Sequence, residues 1–127
     1  MSAQPMTVLV VEDAMDTREV FAVTLEEAGY RVVCADSVRE ALALLRAGHA
    51  IDVVVADYNL GDGTGAELLH QASNEGHIRL SETPALICTA YRYVELPPGV
   101  EILHKPVGPN ELLRAVAVAG SRGRLSS

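Results

Sequence analysis

The run IDVVVADYNLGDG, residues 51–63, constrains this chain more than any other stretch. Ile51 and the apolar block from Val53 to Ala56 lead directly into a carboxylate, Asp57. The composition then switches to turn residues: Asn59, Gly61, Asp62, Gly63 and Gly65. A continuous β-branched run bounded by Gly and Asp reads as a strand over 51–56 buried on both faces, as parallel sheets require. Asp57 then sits where the strand leaves the sheet, and open parallel sheets build their sites at such carboxyl ends. On this stretch alone, an Asp that merely starts a turn is an equally good reading.

The rest of the chain supplies more strands of the same kind, alternating with helices. TVLVV (7–11) is a first strand and ends in the acidic pair Glu12-Asp13. A helix is predicted from Met15 to Ala28, with Asp16 and Glu19 spaced as a capping box and Gly29 as its stop. Phe21, Leu25 and Ala28 mark its buried face, widened by Val20 and Val23. RVVCA (31–35) is a second strand, and Ser37 with Glu40 caps a helix whose apolar stripe is Val38, Ala41, Leu42 and Leu45, ending at Gly48. After the 51–56 strand comes a helix from Gly65 to Glu75 with Leu68, Leu69 and Ala72 inward. PALICT (84–89) and VEIL (100–103) are strands four and five. Pro97-Pro98 between them forbids a continuing helix. Gly108-Pro109 opens the last helix, with Leu113, Val116, Ala117 and Gly120 facing inward, and residues 121–127 read as a polar, frayed tail. Alternation of this kind means an α/β, doubly wound parallel sheet covered on both faces.

Composition narrows the function classes. The chain has 127 residues, 49% hydrophobic and 21% charged, which suits one folded domain. A formal net charge of −7 and a single Phe with no Trp offer nucleic acid neither a basic footprint nor a stacking platform. No apolar run approaches the ~20 residues that span a bilayer, and MSAQPM lacks the pattern of a signal peptide, so a cytoplasmic protein without a membrane partner is expected. Cys34 and Cys88 fall in predicted strands and read as small buried hydrophobes. The histidines, at 49, 70, 77 and 104, are scattered and read as exposed.

Five polar positions fall at one edge of such a sheet. Glu12 and Asp13 follow strand one, Asp57 strand three, Thr89 ends strand four and Lys105 follows strand five. Three carboxylates together repel unless a cation joins them. A hard cation such as Mg²⁺ takes carboxylates, carbonyls and phosphate oxygens. A carboxylate can accept a phosphoryl group, and a metal, an ammonium and a hydroxyl can offset the charge on its oxygens. The set fits phosphoryl transfer onto Asp57.

With VLVVEDA at strand one, VVVADYNLGDGTG at strand three, CTA at strand four and HKP at strand five, the chain resembles the receiver domain of bacterial response regulators, over residues 5–120. That resemblance implies a flavodoxin-like sheet in the order 2-1-3-4-5. It implies Asp57 as phosphoacceptor and Mg²⁺ held by Glu12 (through water), Asp13, Asp57 and the main-chain carbonyl of Asn59. It further implies Thr89 as switch hydroxyl, Lys105 as ion-pair partner of the phosphate and Lys105-Pro106 as a cis peptide. The donor would be a histidine kinase or phosphotransfer protein in a two-component phosphorelay, and the output a protein–protein contact. The chain would be a signalling phosphoacceptor rather than an enzyme acting on other molecules. In the implied order Cys34 and Cys88 lie three strand spacings apart, roughly 14 Å, too far for a disulfide.

The chain also departs from the family pattern. Thr89 and Lys105 are sixteen positions apart, so the family's fourth helix is expected to be shortened or absent. Ile102 stands where the family usually has an aromatic switch residue, and Tyr91 is the candidate substitute. Leu60-Gly61 replaces a usual Met-Pro, which predicts a looser acceptor loop. A phosphorylation-independent receiver-like interaction module and an Asp-nucleophile phosphohydrolase are the alternatives. Asn59, where such a hydrolase typically carries a second acid, counts against the latter. Met1 favours a stand-alone chain over the C-terminal receiver of a hybrid kinase.

Overall fold

The computed structural model of the chain describes residues 4–125. The strands are β1 (Thr7–Val11), β2 (Arg31–Ala35), β3 (Val53–Asp57), β4 (Ala85–Thr89) and β5 (Glu101–His104). They pair in parallel in the order β2-β1-β3-β4-β5. The helices are α1 (Met15–Glu27), α2 (Val38–Arg46), α3 (Gly65–Asn74) and α4 (Pro109–Leu125). β3 and β4 are buried along their whole length because side chains at alternating positions face two helical layers. On one face Leu9, Val54, Ala56 and Ile87 meet Val38, Ala41, Leu42 and Leu45 of α2 and Leu68, Leu69 and Ala72 of α3. On the other, Val8, Val10, Val55 and Leu86 meet Leu25 of α1 and Leu112, Val116 and Ala119 of α4.

β3 begins two residues later than the sequence pattern suggests and includes Asp57 as its last residue, paired with Cys88. The chain from Ala90 to Val100 forms turns and irregular structure with no helix, so the fourth helix in chain order follows β5. Leu96 and Val100 from this connection pack against the core on the α2–α3 face, covering part of what a helix would cover. All four histidines are exposed.

Several local expectations are corrected. Asp16 and Glu19 do not cap α1; its N-cap is Ala14, with no side-chain cap, and the first turn is tied instead to Glu12. Val20 and Val23 are exposed rather than part of the buried face, as is Ala28. Cys34 is exposed because β2 is the edge strand, whereas Cys88 in β4 is buried; both are free thiols. α4 is phased about one residue away from the expectation, burying Leu112 and Ala119 and exposing Ala117. It also continues through residues 121–125, where Arg122 pairs with Glu101 and Gly123 packs on Pro84. Of the expected tail, 126–127 lie outside the described residues.

Candidate functional site

Each predicted site residue is placed by the backbone ladder at the carboxyl edge of the sheet. The Glu12 amide donates to the Ala35 carbonyl at 3.0 Å, extending the β1–β2 pairing into the acidic pair. The Tyr58 amide donates to the Cys88 carbonyl at 2.9 Å and to Asp57 Oδ1 at 3.0 Å, fixing the carboxylate at the end of β3. The Lys105 amide donates to the Thr89 carbonyl at 2.9 Å, so the lysine leaves β5 beside the end of β4. The Lys105–Pro106 peptide is cis.

The side chains converge. Carboxylate oxygens of Glu12, Asp13 and Asp57 lie within 4.8 Å of one another. The Lys105 ammonium is 2.8 Å from Asp57 Oδ1 and 3.9 Å from Glu12 Oε1. Glu12, Asp57 and Thr89 are buried, while Asp13 is exposed at the mouth. A cavity of about 330 Å³ opens between Asp13, Asp57, Asn59, Thr89, Tyr91 and Lys105. Asn59 thus borders the same space as the carboxylates, and its side-chain amide donates to the Tyr91 hydroxyl at 3.1 Å.

The electrostatics follow from three acids against one cation. Burial, a hydrogen bond with Asp13 and the charge of Asp57 push the Glu12 carboxyl up to about 7. Burial alone would lower the Lys105 ammonium, but its hydrogen bond to Asp57 and the charges of Asp57 and Glu12 outweigh that and hold it above the ordinary lysine value. One ammonium does not balance three carboxylates, and the acidic group has the all-oxygen chemistry that a hard divalent cation takes.

Thr89 Oγ1 accepts from the Tyr91 amide at 3.0 Å, and the Tyr91 ring meets Tyr58 edge-on at 5.8 Å between centroids. Tyr91 is therefore joined to the site through Thr89, Asn59 and Tyr58, although it is half exposed. Ile102 pairs with Ile87 in register and is partly buried.

The acceptor loop is tied at several points, against the expectation of looseness. Leu60 is buried in the core, its amide donates to the Gly63 carbonyl, and Asn59 and Thr64 form an antiparallel bridge. Asp62 reaches across to α2, accepting from the Val38 and Arg39 amides at 2.9 and 3.0 Å. Thr64 and Glu67 then form a capping box that starts α3. The T-x-x-E spacing at 64–67 is a sequence signal for that cap. Asp62 has no comparable signal, because its partners lie 24 and 23 positions away. Nor has Arg18, whose guanidinium donates to the Glu12 carbonyl at 2.8 Å and steadies the acidic turn.

Comparison with known proteins agrees with the geometry. A family model described as a response regulator receiver domain matches residues 8–117. The two-component response regulator ORR5 of Oryza sativa subsp. japonica is 32% identical over 113 residues, 84% of this chain and 83% of that protein. Among solved structures, the chemotaxis response regulator CheY4 of Vibrio cholerae superposes with a TM-score of 0.80 at 29% identity, covering 91% of this chain and 99% of that one. A CheY-like receiver domain protein from Methanospirillum hungatei gives a TM-score of 0.86 at 25% identity, covering 98% and 100%. With the strand order and the acidic edge on one side and these relatives on the other, the chain belongs to the response regulator receiver domain family.

Proposed function

We propose that Asp57 is the phosphoacceptor of a two-component phosphorelay, taking its phosphoryl group from a phosphohistidine on a histidine kinase or phosphotransfer protein. The observation that carries this reading is the convergence of Glu12, Asp13 and Asp57 within 4.8 Å, with Lys105 at 2.8 Å from Asp57. An Asp57 carboxylate oxygen attacks phosphorus, the P–N bond breaks, and its electron pair stays on the donor imidazole. With the phosphohistidine protonated on its other ring nitrogen, the imidazole leaves neutral, and the products are an acyl phosphate on Asp57 and a neutral donor histidine.

Glu12, Asp13 and Asp57, with the Asn59 carbonyl, would hold Mg²⁺, which when bound supplies positive charge against the phosphoryl oxygens. Lys105 pairs with Asp57 before transfer and with a phosphoryl oxygen afterwards. Thr89 donates its hydroxyl to another of those oxygens. Because Thr89 Oγ1 also accepts the Tyr91 amide, a shift of that hydroxyl toward the phosphoryl group draws on Tyr91. Tyr91 thereby takes the switching part that Ile102 cannot play. The output is a protein–protein contact, and the chain acts as a cytoplasmic signalling phosphoacceptor rather than as an enzyme on other substrates.

The test is incubation with acetyl phosphate, with and without Mg²⁺, followed by intact mass and peptide mapping. The expected result is Mg²⁺-dependent addition of one phosphoryl group at Asp57, abolished in Asp57→Ala. No Mg²⁺-dependent modification, together with no beryllofluoride-induced shifts in the amide spectrum, would replace this reading with a phosphorylation-independent interaction module.

A further inference from the structure

We propose that Asp62 is a positioning residue for the acidic site, clamping the acceptor loop onto the first turn of α2. The inference rests on the reading of Glu12, Asp13, Asp57 and Asn59 as the metal-holding group. An α-helix begins with backbone N–H groups that have no partner inside the helix. In α2 the N-cap Ser37 supplies a partner for only one of them, with Oγ accepting from the Glu40 amide at 3.0 Å. The two amides before it, Val38 and Arg39, donate to the two oxygens of Asp62 at 2.9 and 3.0 Å. A carboxylate is the favoured acceptor at that end of a helix, where the backbone dipoles place partial positive charge. A bidentate contact also fixes orientation, which a single bond does not.

What the clamp holds is the segment between the phosphoacceptor strand and α3. The bridge between Asn59 and Thr64 and the Leu60 amide bond to the Gly63 carbonyl close residues 59–64 into a tight turn. Gly61, at φ +80°, carries that turn past the acidic pair, and a Cβ on it would lie 3.9 Å from Asp13 Oδ2. Gly63 lies against α2, where a Cβ would come 3.2 Å from Val38 Cγ2. Leu60 anchors one side of the turn in the core and Asp62 anchors the other on α2. Asn59 sits at the base of the turn, so its position relative to Asp13 and Asp57 depends on both anchors. The bridge and the Leu60–Gly63 bond close the turn on itself, and Asp62 fixes the closed turn to α2.

The experiment titrates Mg²⁺ alone into wild-type protein, Asp62→Ala, Asp62→Asn and Ser37→Ala, following amide shifts by NMR, with amide hydrogen exchange of the metal-free proteins. Asp62→Ala should weaken Mg²⁺ binding about tenfold, with Asp62→Asn, which keeps one acceptor oxygen, weakening it less. Ser37→Ala loosens the same helix end without touching the loop and should leave Mg²⁺ affinity unchanged. Exchange protection at Val38 and Arg39 should fall in Asp62→Ala while Glu40 keeps its own. If the wild type binds Mg²⁺ and Asp62→Ala binds it within about twofold, or Ser37→Ala weakens binding equally, the positioning role is wrong while the site reading stands. If the wild type binds no Mg²⁺, the site reading fails and takes this inference with it.

Discussion

Replacing Gly65 with Ala tests how closely α3 must approach the end of β3 for Asp57 to sit where it does. Gly65 is the first residue of α3, and its amide donates to the Tyr58 carbonyl at 2.8 Å. A Cβ at this position would lie 2.7 Å from the Asp57 carbonyl oxygen and 2.7 Å from Ile87 Cδ1, inside van der Waals contact for both. Neither neighbour can give easily, since β3 is hydrogen-bonded between β1 and β4 and Ile87 is fully buried. Alanine contributes at most about 1 kcal/mol of helix propensity over Gly, and less at a first position. Forcing an extra methyl into a packed site costs about 1–3 kcal/mol. The cost wins, leaving a net destabilisation of about 1–2 kcal/mol and a melting temperature lower by roughly 3–10 °C. Urea denaturation followed by circular dichroism measures it.

A double-mutant cycle isolates the cause. Ile87→Val removes the clashing Cδ1; in the wild type it costs about 0.5–1.5 kcal/mol through the cavity it leaves. In the Gly65→Ala background the same change relieves overlap, so it should cost much less or become favourable. Strictly additive single and double variants, or a Gly65→Ala protein as stable as the wild type, would refute the close-approach argument.

The cysteines and the surface ion pairs give two further tests. Partial burial raises the thiol of Cys34, which is nevertheless exposed, whereas burial and the charge of Asp57 push the Cys88 thiol up to about 12, so a disulfide reagent at pH 8 should modify one thiol in the native protein and the second only on unfolding. Two rapidly reacting thiols in the native protein would contradict the burial of β4. Glu75 is held down to about 2 by its hydrogen bonds with Arg46 and Gln71, below its ordinary value of 4.5. Its contribution is therefore present in full above pH 4.5 and lost as pH falls toward 2, so the stability gap between wild type and Glu75→Gln, read as urea midpoints, should narrow from pH 5 to pH 3. A gap that holds constant or widens on acidification would show that the Glu75 carboxyl is not held down in the folded protein.

The elements that could be read from the chain are those whose burial is imposed on every residue or repeats at helical spacing. β3 and β4 are buried on both faces, so their apolar runs announced them. α2 shows its stripe and its Ser37 cap because both are local patterns. α1 misled for the opposite reason. Its Val20 and Val23 look apolar in sequence but lie exposed, and its first turn is tied to Glu12 rather than to a capping side chain of its own. Cys34 misled because edge strands look like central ones until the strand order is known. The residues expected as a frayed tail extend α4, since Gly123 permits an approach to the Glu82 carbonyl and Pro84 that depends on no local pattern.

The sequence by itself determined the alternation of strands and helices and the polar residue at each strand end. In a parallel sheet those ends share one edge, so the gathering of Glu12, Asp13, Asp57, Thr89 and Lys105 followed from position alone. Distances shorter than a side chain were decided only by the tertiary structure. These include the 2.8 Å pairing of Lys105 with Asp57, the Tyr91 contacts with Thr89 and Asn59, and the clamp of Asp62 on α2. The reason is that strand periodicity fixes which edge a residue reaches. Which neighbour it touches there is set by loops and helix ends distant in sequence, whose hydrogen bonds no local pattern records.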